Sequence, residues 1–189
     1  APLKNRLLFY PAEKLCAHFT DTLITINQED YNLKRKKMKA KSVEYVPGVG
    51  VDTSKFANVE IDRDKKRQEL GIPVDKKLLI SVGELLKMSD LFVFPSYREG
   101  LSVSVMEAMS SGLPVVCSNI RGNCELIDEN GGVLFDPHSV DDCKNVITKA
   151  LNSNMADMGK CNQVKASNFS YEKVHNKMKE IYKCLKAEL

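Results

Sequence analysis

Residues 91–118 read LFVFPSYREGLSVSVMEAMSSGLPVVCS, and this stretch decides the fold. Its two ends, LFVF at 91–94 and PVVCS at 114–118, are mostly apolar runs of the kind found in strands buried on both faces of a parallel sheet. Between them, apolar residues recur at helical spacing over residues 102–111. The stretch therefore predicts a strand, a loop, a helix and a second strand in succession.

The same alternation continues on both sides of this stretch. β-branched or apolar runs predict further strands at residues 22–26, 42–46, 77–82 and 132–135, and helical patterns occupy residues 61–70, 123–128, 140–151 and 171–185. Asn27, with Asp30 three positions later, predicts the N-cap of another helix. We therefore expect an α/β fold with a mainly parallel sheet covered by helices, in which ligands bind at the carboxyl ends of the strands.

One connection in this scheme is too short. Only eight residues, 83–90, separate the strand predicted at 77–82 from the one that begins at Leu91. A parallel crossover needs at least about 10–12 residues, usually with a helix of its own. Either these two strands are not parallel neighbours, or a segment that once separated them is absent.

Composition and charge exclude several classes of function. The chain has 189 residues, of which 28 are basic and 25 acidic, so its net charge of +3 does not favour general binding to nucleic acid. The six cysteines form no C-x-x-C pair, and three scattered histidines do not suit a zinc site. No apolar run approaches the ~20 residues of a membrane-spanning helix, so we expect a soluble, cytoplasmic protein.

The helix predicted after Asn27 carries a basic stretch, which allows two interpretations. The charges could face anionic lipid or a lipid-linked phosphate acceptor at the inner face of the membrane. They could equally be a solvated helix face, and this interpretation is favoured because no strongly apolar face accompanies them. The basic residues are Lys34, Arg35, Lys36, Lys37, Lys39 and Lys41.

The candidate site lies where the strand 91–94 passes into the helix 102–111. The first amides of a helix lack intrahelical partners and carry partial positive charge, so they can hold a diphosphate. Glu99 precedes the helix and Glu107 lies about two turns into it, so the two carboxylates could face one cleft and accept hydrogen bonds from sugar hydroxyls. The alternative is that Glu99 is an ordinary loop residue and Glu107 an ordinary surface residue of the helix.

The residues around this site resemble a known family. Glu99 and Glu107 match the E-x7-E motif of family 4 retaining glycosyltransferases, and residues 92–116, FVFPSYREGLSVSVMEAMSSGLPVV, resemble the helix and strand that carry it. Similar stretches are DTLITINQEDY (21–31), YVPGVGVD (45–52), LLISVG (78–83), SNIRGNCELI (118–127) and GGVLFD (131–136). The resemblance implies the GT-B fold, in which Rossmann-like parallel sheets have helices on both faces.

The resemblance also implies roles for individual residues. Glu99 would contact the donor sugar as the catalytic residue, and Glu107 would bind the ribose diol. The amides of Gly100, Leu101 and Ser102 would approach the phosphates, and Gly83, after the first strand of the domain, would complete the nucleotide-sugar site.

Family members transfer a sugar, commonly from a UDP-sugar, with retention and without a metal or other cofactor. The acceptor would be a sugar or a lipid-linked molecule, in capsular or exopolysaccharide synthesis, with peripheral membrane contact and no nucleic acid.

The resemblance divides the chain into unequal parts. Residues 1–45 would be a remnant of the acceptor domain, residues 46–168 the nucleotide-sugar domain with an internal deletion near 83–87, and residues 169–189 a closing helix. The deletion would remove a loop whose Arg and Lys neutralise the diphosphate, so we expect no transferase activity from this polypeptide alone. The alternatives are an inactive nucleotide-binding remnant, an interaction module, or another GT-B enzyme such as a sugar-nucleotide epimerase.

Overall fold

The computed structural model describes residues 3–58, 60–81 and 83–187. The chain forms two compact units. The first comprises the residues up to Gly48 together with those from Val174 onward, and the second comprises Val49–Lys173.

The first unit contains a small parallel sheet. Strand β1 (Thr22–Thr25) pairs in parallel with β2 (Ser42–Tyr45), and helices α1 (Leu3–Ala17) and α2 (Gln28–Lys37) precede them in turn. Asn27 caps α2 as predicted, since its side-chain oxygen accepts a hydrogen bond of 2.8 Å from the Asp30 amide. The core of this unit is formed by Val46, Val174 and Ile181.

The second unit contains the larger sheet. Its strands are β3 (Leu79–Ile80), β4 (Leu91–Phe94), β5 (Val115–Ser118) and β6 (Gly132–Phe135), and they lie in this order with every neighbouring pair parallel. The predicted α/β fold with a parallel sheet and flanking helices is therefore confirmed.

Seven α-helices and two short 3-10 helices follow β2 in the described part of the chain. The α-helices are α3 (Thr53–Ala57), α4 (Arg63–Glu69), α5 (Val103–Ser110), α6 (Asn123–Leu126), α7 (Val140–Leu151), α8 (Met155–Ala166) and α9 (Tyr171–Ala187), and α9 continues into the first unit. The 3-10 helices are Gly83–Met88 and Ser167–Phe169. The sequence analysis did not predict α1, α3 or α8.

Both faces of the sheet are buried because successive strand residues point in opposite directions. Phe92 and Val115 join a core with Val105 and Met106 of α5. Their chain neighbours Leu91 and Val116 join a separate core on which α7 packs, with Phe135 and Ala150 as further members. This burial on both faces explains why the strands read as continuous apolar runs.

The short connection between β3 and β4 is made by the first 3-10 helix. Leu79 lies opposite Leu91, so the two strands are parallel neighbours and the contrary alternative is wrong. Strand β3 has two residues, whereas six were predicted, and the crossing includes the 3-10 helix Gly83–Met88, which has a kink at Leu85. Val82, the predicted end of this strand, lies outside the described residues. An absent segment remains a prediction.

A buried arginine fastens α4 to the start of β4. Arg67 donates to the carbonyls of Met88, Val74 and Lys76, and it binds the Asp90 carboxylate at 2.8 Å. Arg63 binds the other oxygen of Asp90 at 2.6 Å, and the Leu78 amide also donates to this carboxylate. Burial raises the pKa of Asp90, but the hydrogen bonds from Leu78 and the two arginines outweigh it and hold that pKa below its usual value. The carboxylate is therefore charged at neutral pH.

Candidate functional site

The loop between β4 and α5 presents a row of unpaired amides. Helix α5 begins at Val103, and its N-cap Ser102 uses its hydroxyl to accept from the Val105 amide at 3.4 Å. The five amides that precede Val105 have no protein acceptor within the part of the chain that the structure describes. They are those of Gly100, Leu101, Ser102, Val103 and Ser104. Such a row at the start of a helix, at the carboxyl end of a parallel strand, suits an anion.

Gly100 has free space on one side and a close neighbour on the other. A Cβ atom built on Gly100 would meet nothing within 4 Å, so the backbone here is accessible to a ligand. The Gly100 carbonyl lies against Gly122, on which a Cβ would be 1.5 Å from that oxygen. Gly122 has a φ of +89°, which disfavours any other residue. The backbone therefore requires glycine at position 122, whereas at Gly100 only the open space argues for it.

The Glu99 carboxylate is bound by Ser96, which is bound in turn by Ser118. The hydroxyl of Ser96 donates to one oxygen of the half-buried Glu99 carboxylate at 2.9 Å. The amide of Ser96 in turn donates to the hydroxyl of Ser118, at the end of β5, over 2.9 Å. The carboxylate thus has a defined partner although it lies in a loop.

A cavity of about 520 Å³ lies beside α5 in the same unit. Glu107 supplies a carboxylate to its wall and Ser111 a hydroxyl, and the apolar part of the wall includes Phe56, Ile61 and Leu86. Lys55, Lys66, Leu85, Lys87 and Met88 complete the lining. An apolar cavity with a few polar groups is typical of a small-molecule site.

Two of the charged groups in this cavity, Glu107 and Lys87, are partly desolvated. Burial raises the pKa of the Glu107 carboxyl, and the nearby charge of Lys55 opposes this increase without cancelling it. Burial also lowers the pKa of Lys87, whose ammonium group donates to the Ala57 carbonyl at 2.9 Å. Lys55 lies over the Phe56 ring, 5.6 Å from its centroid. Glu107 therefore faces the cavity as a carboxylate with a cation close by.

The structure distributes the predicted site residues along one helix and its preceding loop. Glu107 is the fifth residue of α5 and lines the cavity, whereas Glu99 lies before the helix and is not among the described residues of that wall. Leu101 is buried in the core and Ser102 caps the helix, so both offer their amides but not their side chains. Gly83 begins the 3-10 helix whose residues Leu85–Met88 line the cavity.

The basic stretch at residues 34–41, in α2 and just after it, is partly neutralised within the first unit. Lys34 forms an ion pair with Glu13, Lys41 pairs with Asp21, and Arg35 lies over the Tyr31 ring. Lys36, Lys37 and Lys39 are exposed. This distribution matches a solvated face better than a concentrated anion-binding patch.

Several residues of the site were not singled out from the sequence. Ser96 and Ser118 lie 22 positions apart, so no local pattern joins them. Lys55 and Phe56 lie on the short helix α3, which the sequence analysis did not predict. The glycine in the run SNIRGNCELI was visible, but its contact with Gly100 was not.

Two absences within the described residues bear on metal and membrane binding. No three His, Cys, Asp or Glu side chains there lie close enough together to hold a metal ion. No helix among those residues is long and apolar enough to cross a bilayer.

Comparison with known proteins matches this architecture. Residues 81–171 match the family model described as glycosyl transferases group 1. EpsD of Bacillus subtilis (strain 168), a protein named as a glycosyltransferase, is 26% identical over 200 residues, covering 71% of this chain and 52% of EpsD. The UDP-Gal:alpha-D-GlcNAc-diphosphoundecaprenol alpha-1,3-galactosyltransferase of Escherichia coli is 31% identical over 126 residues, covering 62% of this chain and 33% of that enzyme.

A solved structure shares the fold. Anabaena Alr3699/HepE, crystallised in complex with UDP, superposes with a TM-score of 0.78 at 16% identity, covering 92% of this chain and 66% of that one. This chain spans about half the length of EpsD and a third of the galactosyltransferase. The structures to which it is similar are GT-B glycosyltransferases. Residues 81–171 of this chain are therefore similar to the glycosyl transferases group 1 family.

Proposed function

We propose that this chain carries the nucleotide-sugar site of a family 4 retaining glycosyltransferase, with a UDP-sugar as the donor. The observation that carries the proposal is the row of amides from Gly100 to Ser104, unpaired among the described residues, which leads into the helix whose Glu107 carboxylate lines the cavity. The amides suit the diphosphate and the carboxylate suits a ribose diol.

The spacing along α5 supports one ligand that spans both features. Ser102 and Glu107 are five residues apart, which corresponds to about 7.5 Å along a helix axis. Helical side chains lean toward the N-terminus, so the Glu107 carboxylate lies nearer to the amides than its backbone does. A nucleoside in the cavity would then direct its phosphates toward Gly100. The apolar wall with Phe56 suits the flat face of the base.

The chemistry follows from where charge develops. As the bond between the anomeric carbon and the diphosphate breaks, the departing oxygen gains negative charge, and preorganised amides stabilise it. A new bond from the anomeric carbon to the acceptor oxygen forms on the same face of the sugar, which is retention, and the departing diphosphate oxygen takes up the proton of the acceptor hydroxyl. Glu99 would accept hydrogen bonds from the sugar hydroxyls in this complex. The proposal includes no metal, and unchanged donor binding in the presence of EDTA is the expected result.

The relatives support the type of donor and acceptor. The Escherichia coli relative is named for a UDP-Gal donor and a diphosphoundecaprenol-linked acceptor, and the Anabaena structure holds UDP. By extension, we propose a sugar or lipid-linked acceptor in polysaccharide synthesis. Contact of the exposed Lys36, Lys37 and Lys39 with a membrane belongs to the same proposal, and loss of vesicle binding after their neutralisation would test it.

Calorimetry with UDP tests the donor site. The wild-type chain is expected to bind UDP more tightly than UMP and UMP more tightly than uridine, because each phosphate meets unpaired amides. Glu107→Ala should weaken UDP binding by at least about 10-fold, since hydrogen bonds to a charged group contribute about 1.5–3 kcal/mol. Glu172→Ala, an exposed helix glutamate, is the matched control and should bind normally. Absence of UDP binding by the wild type would refute the proposal and favour an interaction module.

A further inference from the structure

The Glu99 loop is connected to the neighbouring strand through Ser96 and Ser118. The single hydroxyl proton of Ser96 has two acceptors in reach, the Glu99 carboxylate at 2.9 Å and the Arg98 carbonyl at 3.5 Å, and the shorter, charged contact is preferred. The Ser96 amide donates to the Ser118 hydroxyl, and this hydroxyl in turn reaches the Phe94 carbonyl at 3.5 Å. The carboxylate is thereby tied to the ends of two adjacent strands, β4 and β5.

The far end of this chain of contacts is fixed in the protein interior. Ser118 and Asn123 are completely buried. The side-chain amide of Asn123 donates to the Ser118 carbonyl at 3.1 Å, which fixes the last residue of β5. The hydroxyl of Ser118 therefore has little freedom to move, and it transmits this restriction to Ser96.

We propose that Ser96, supported by Ser118, is a positioning residue that holds the Glu99 carboxylate in the orientation needed for the donor sugar. The inference rests on the proposed function for the identity of the sugar, but the restraint on Glu99 exists without any ligand. A glutamate in a loop has three rotatable side-chain bonds, and ordering it on binding weakens the affinity by roughly 2- to 10-fold. A hydroxyl that orders it beforehand removes that cost from binding. Ser96 does not touch the sugar in this scheme.

The first measurement uses no nucleotide. NMR scalar couplings and relaxation of the Glu99 side-chain methylenes report whether it occupies one rotamer. The wild type and Ser96→Thr, which keeps the hydroxyl, are expected to show one rotamer, and Ser96→Ala should show averaging over several. Ser153→Ala removes an exposed hydroxyl that bonds a helix carbonyl, and it should leave Glu99 unchanged. Equal rotamer averaging in the wild type and Ser96→Ala would overturn the proposal.

The second measurement compares UDP with UDP-glucose by calorimetry. Ser96→Ala should bind UDP as the wild type does but lose roughly 2- to 10-fold of the affinity that the sugar adds, by the ordering cost given above. Ser96→Thr should restore it. The loss should be absent when Ser96→Ala is combined with Glu99→Ala, because the serine acts only through the carboxylate. Additive losses in the double variant would overturn the proposal.

The two measurements separate the two hypotheses. If the wild type binds neither UDP nor UDP-glucose, the proposed function fails, and the rotamer comparison alone decides the role of Ser96. If UDP binds and the Glu99 rotamer is insensitive to Ser96, the proposed function stands and the positioning role fails.

Discussion

Replacing Gly122 by alanine tests the contact that fixes the Gly100 loop. The new Cβ atom would lie 1.5 Å from the Gly100 carbonyl oxygen and 3.3 Å from the Leu101 amide nitrogen. Because non-bonded atoms attract best at about 3.5–4.0 Å, the Gly100 carbonyl must retreat by about 2 Å. The two residues belong to the loops that follow adjacent strands, so the substitution displaces the first amides of the candidate anion site.

Gly122→Ala is expected to change both the free energy of unfolding and the affinity for UDP. A non-glycine residue at a φ of +89° costs about 1–3 kcal/mol, and the forced backbone shift adds a further cost of about 1–3 kcal/mol. We therefore expect Gly122→Ala to lower the free energy of unfolding by about 2–6 kcal/mol. Loss of one amide hydrogen bond to a charged phosphate should weaken UDP binding by roughly 10- to 100-fold.

Urea denaturation measures the free energy of unfolding. Calorimetry with UDP, at a temperature where the variant is folded, measures the affinity. Gly71→Ala is the matched control, because Gly71 also has a positive φ, +69°, but a Cβ there would meet nothing within 4 Å. It should show the strain cost alone and bind UDP normally. If the folded Gly122→Ala chain bound UDP as tightly as Gly71→Ala, the reasoning that places the Gly100 amides in the phosphate site would be refuted.

Three further predictions follow from individual contacts. Gly100→Ala should leave the free energy of unfolding within about 0.5 kcal/mol of the wild type, since the new Cβ meets open space. It should weaken UDP binding and leave uridine binding unchanged. An equal loss of affinity for both ligands would contradict this prediction. The raised pKa of Glu107 means that the native state holds its proton more tightly than the unfolded state, so Glu107 should reduce stability progressively as the pH rises above 4.5, the value without burial. UDP affinity should fall more steeply toward low pH in the wild type than in Glu107→Gln, which cannot titrate, and parallel pH profiles would argue against the role of this carboxylate. Arg67→Met should lower the free energy of unfolding, measured with urea, by about 3–5 kcal/mol, because Asp90 and three carbonyls each lose a buried partner. Arg63→Met should lower it by about 1 kcal/mol or less, because the side chain of Arg63 is 40% exposed. Similar losses for the two variants would show that burial does not decide the effect.

Local patterns in the sequence predicted the elements that depend on local chemistry. The helix expected at 102–111 forms at Val103–Ser110 with a serine cap, and α7 has the predicted bounds of Val140–Leu151. Asn27 caps α2 through the spacing that predicted it. In each case the signal and the structure involve residues within one or two turns of each other.

Helix α8 shows how packing can conceal an element. Asn154 caps it by accepting from the Asp157 amide, which is the same spacing as in α2 and could have been recognised. Gly159 in its middle lowers helix propensity by about 1 kcal/mol relative to alanine. Its place is explained only by tertiary contact, since a Cβ there would lie 2.0 Å from the Gly112 carbonyl. A single sequence does not reveal that contact.

The candidate site was only partly predicted, because some of its residues meet through tertiary contacts that the sequence does not reveal. The loop, the helix start and Glu107 follow one another closely in the chain, and the helix start was predicted with them. Lys55 and Phe56 reach the cavity from α3, about fifty residues before Glu107, and Ser118 reaches Ser96 from the next strand. The two-residue length of β3 also depends on its pairing with β4 and not on its own apolar run.

The amide resonances of the site provide the most direct test of the central claim. In a proton–nitrogen NMR titration of the 189-residue chain with UDP, the amides of Gly100, Leu101 and Ser104 should shift most, with the Glu107 amide following. Uridine at the same saturation should shift the Glu107 amide but leave those of Gly100 and Leu101 nearly unchanged. Saturating UDP that leaves the amides from Gly100 to Ser104 in place would contradict the account.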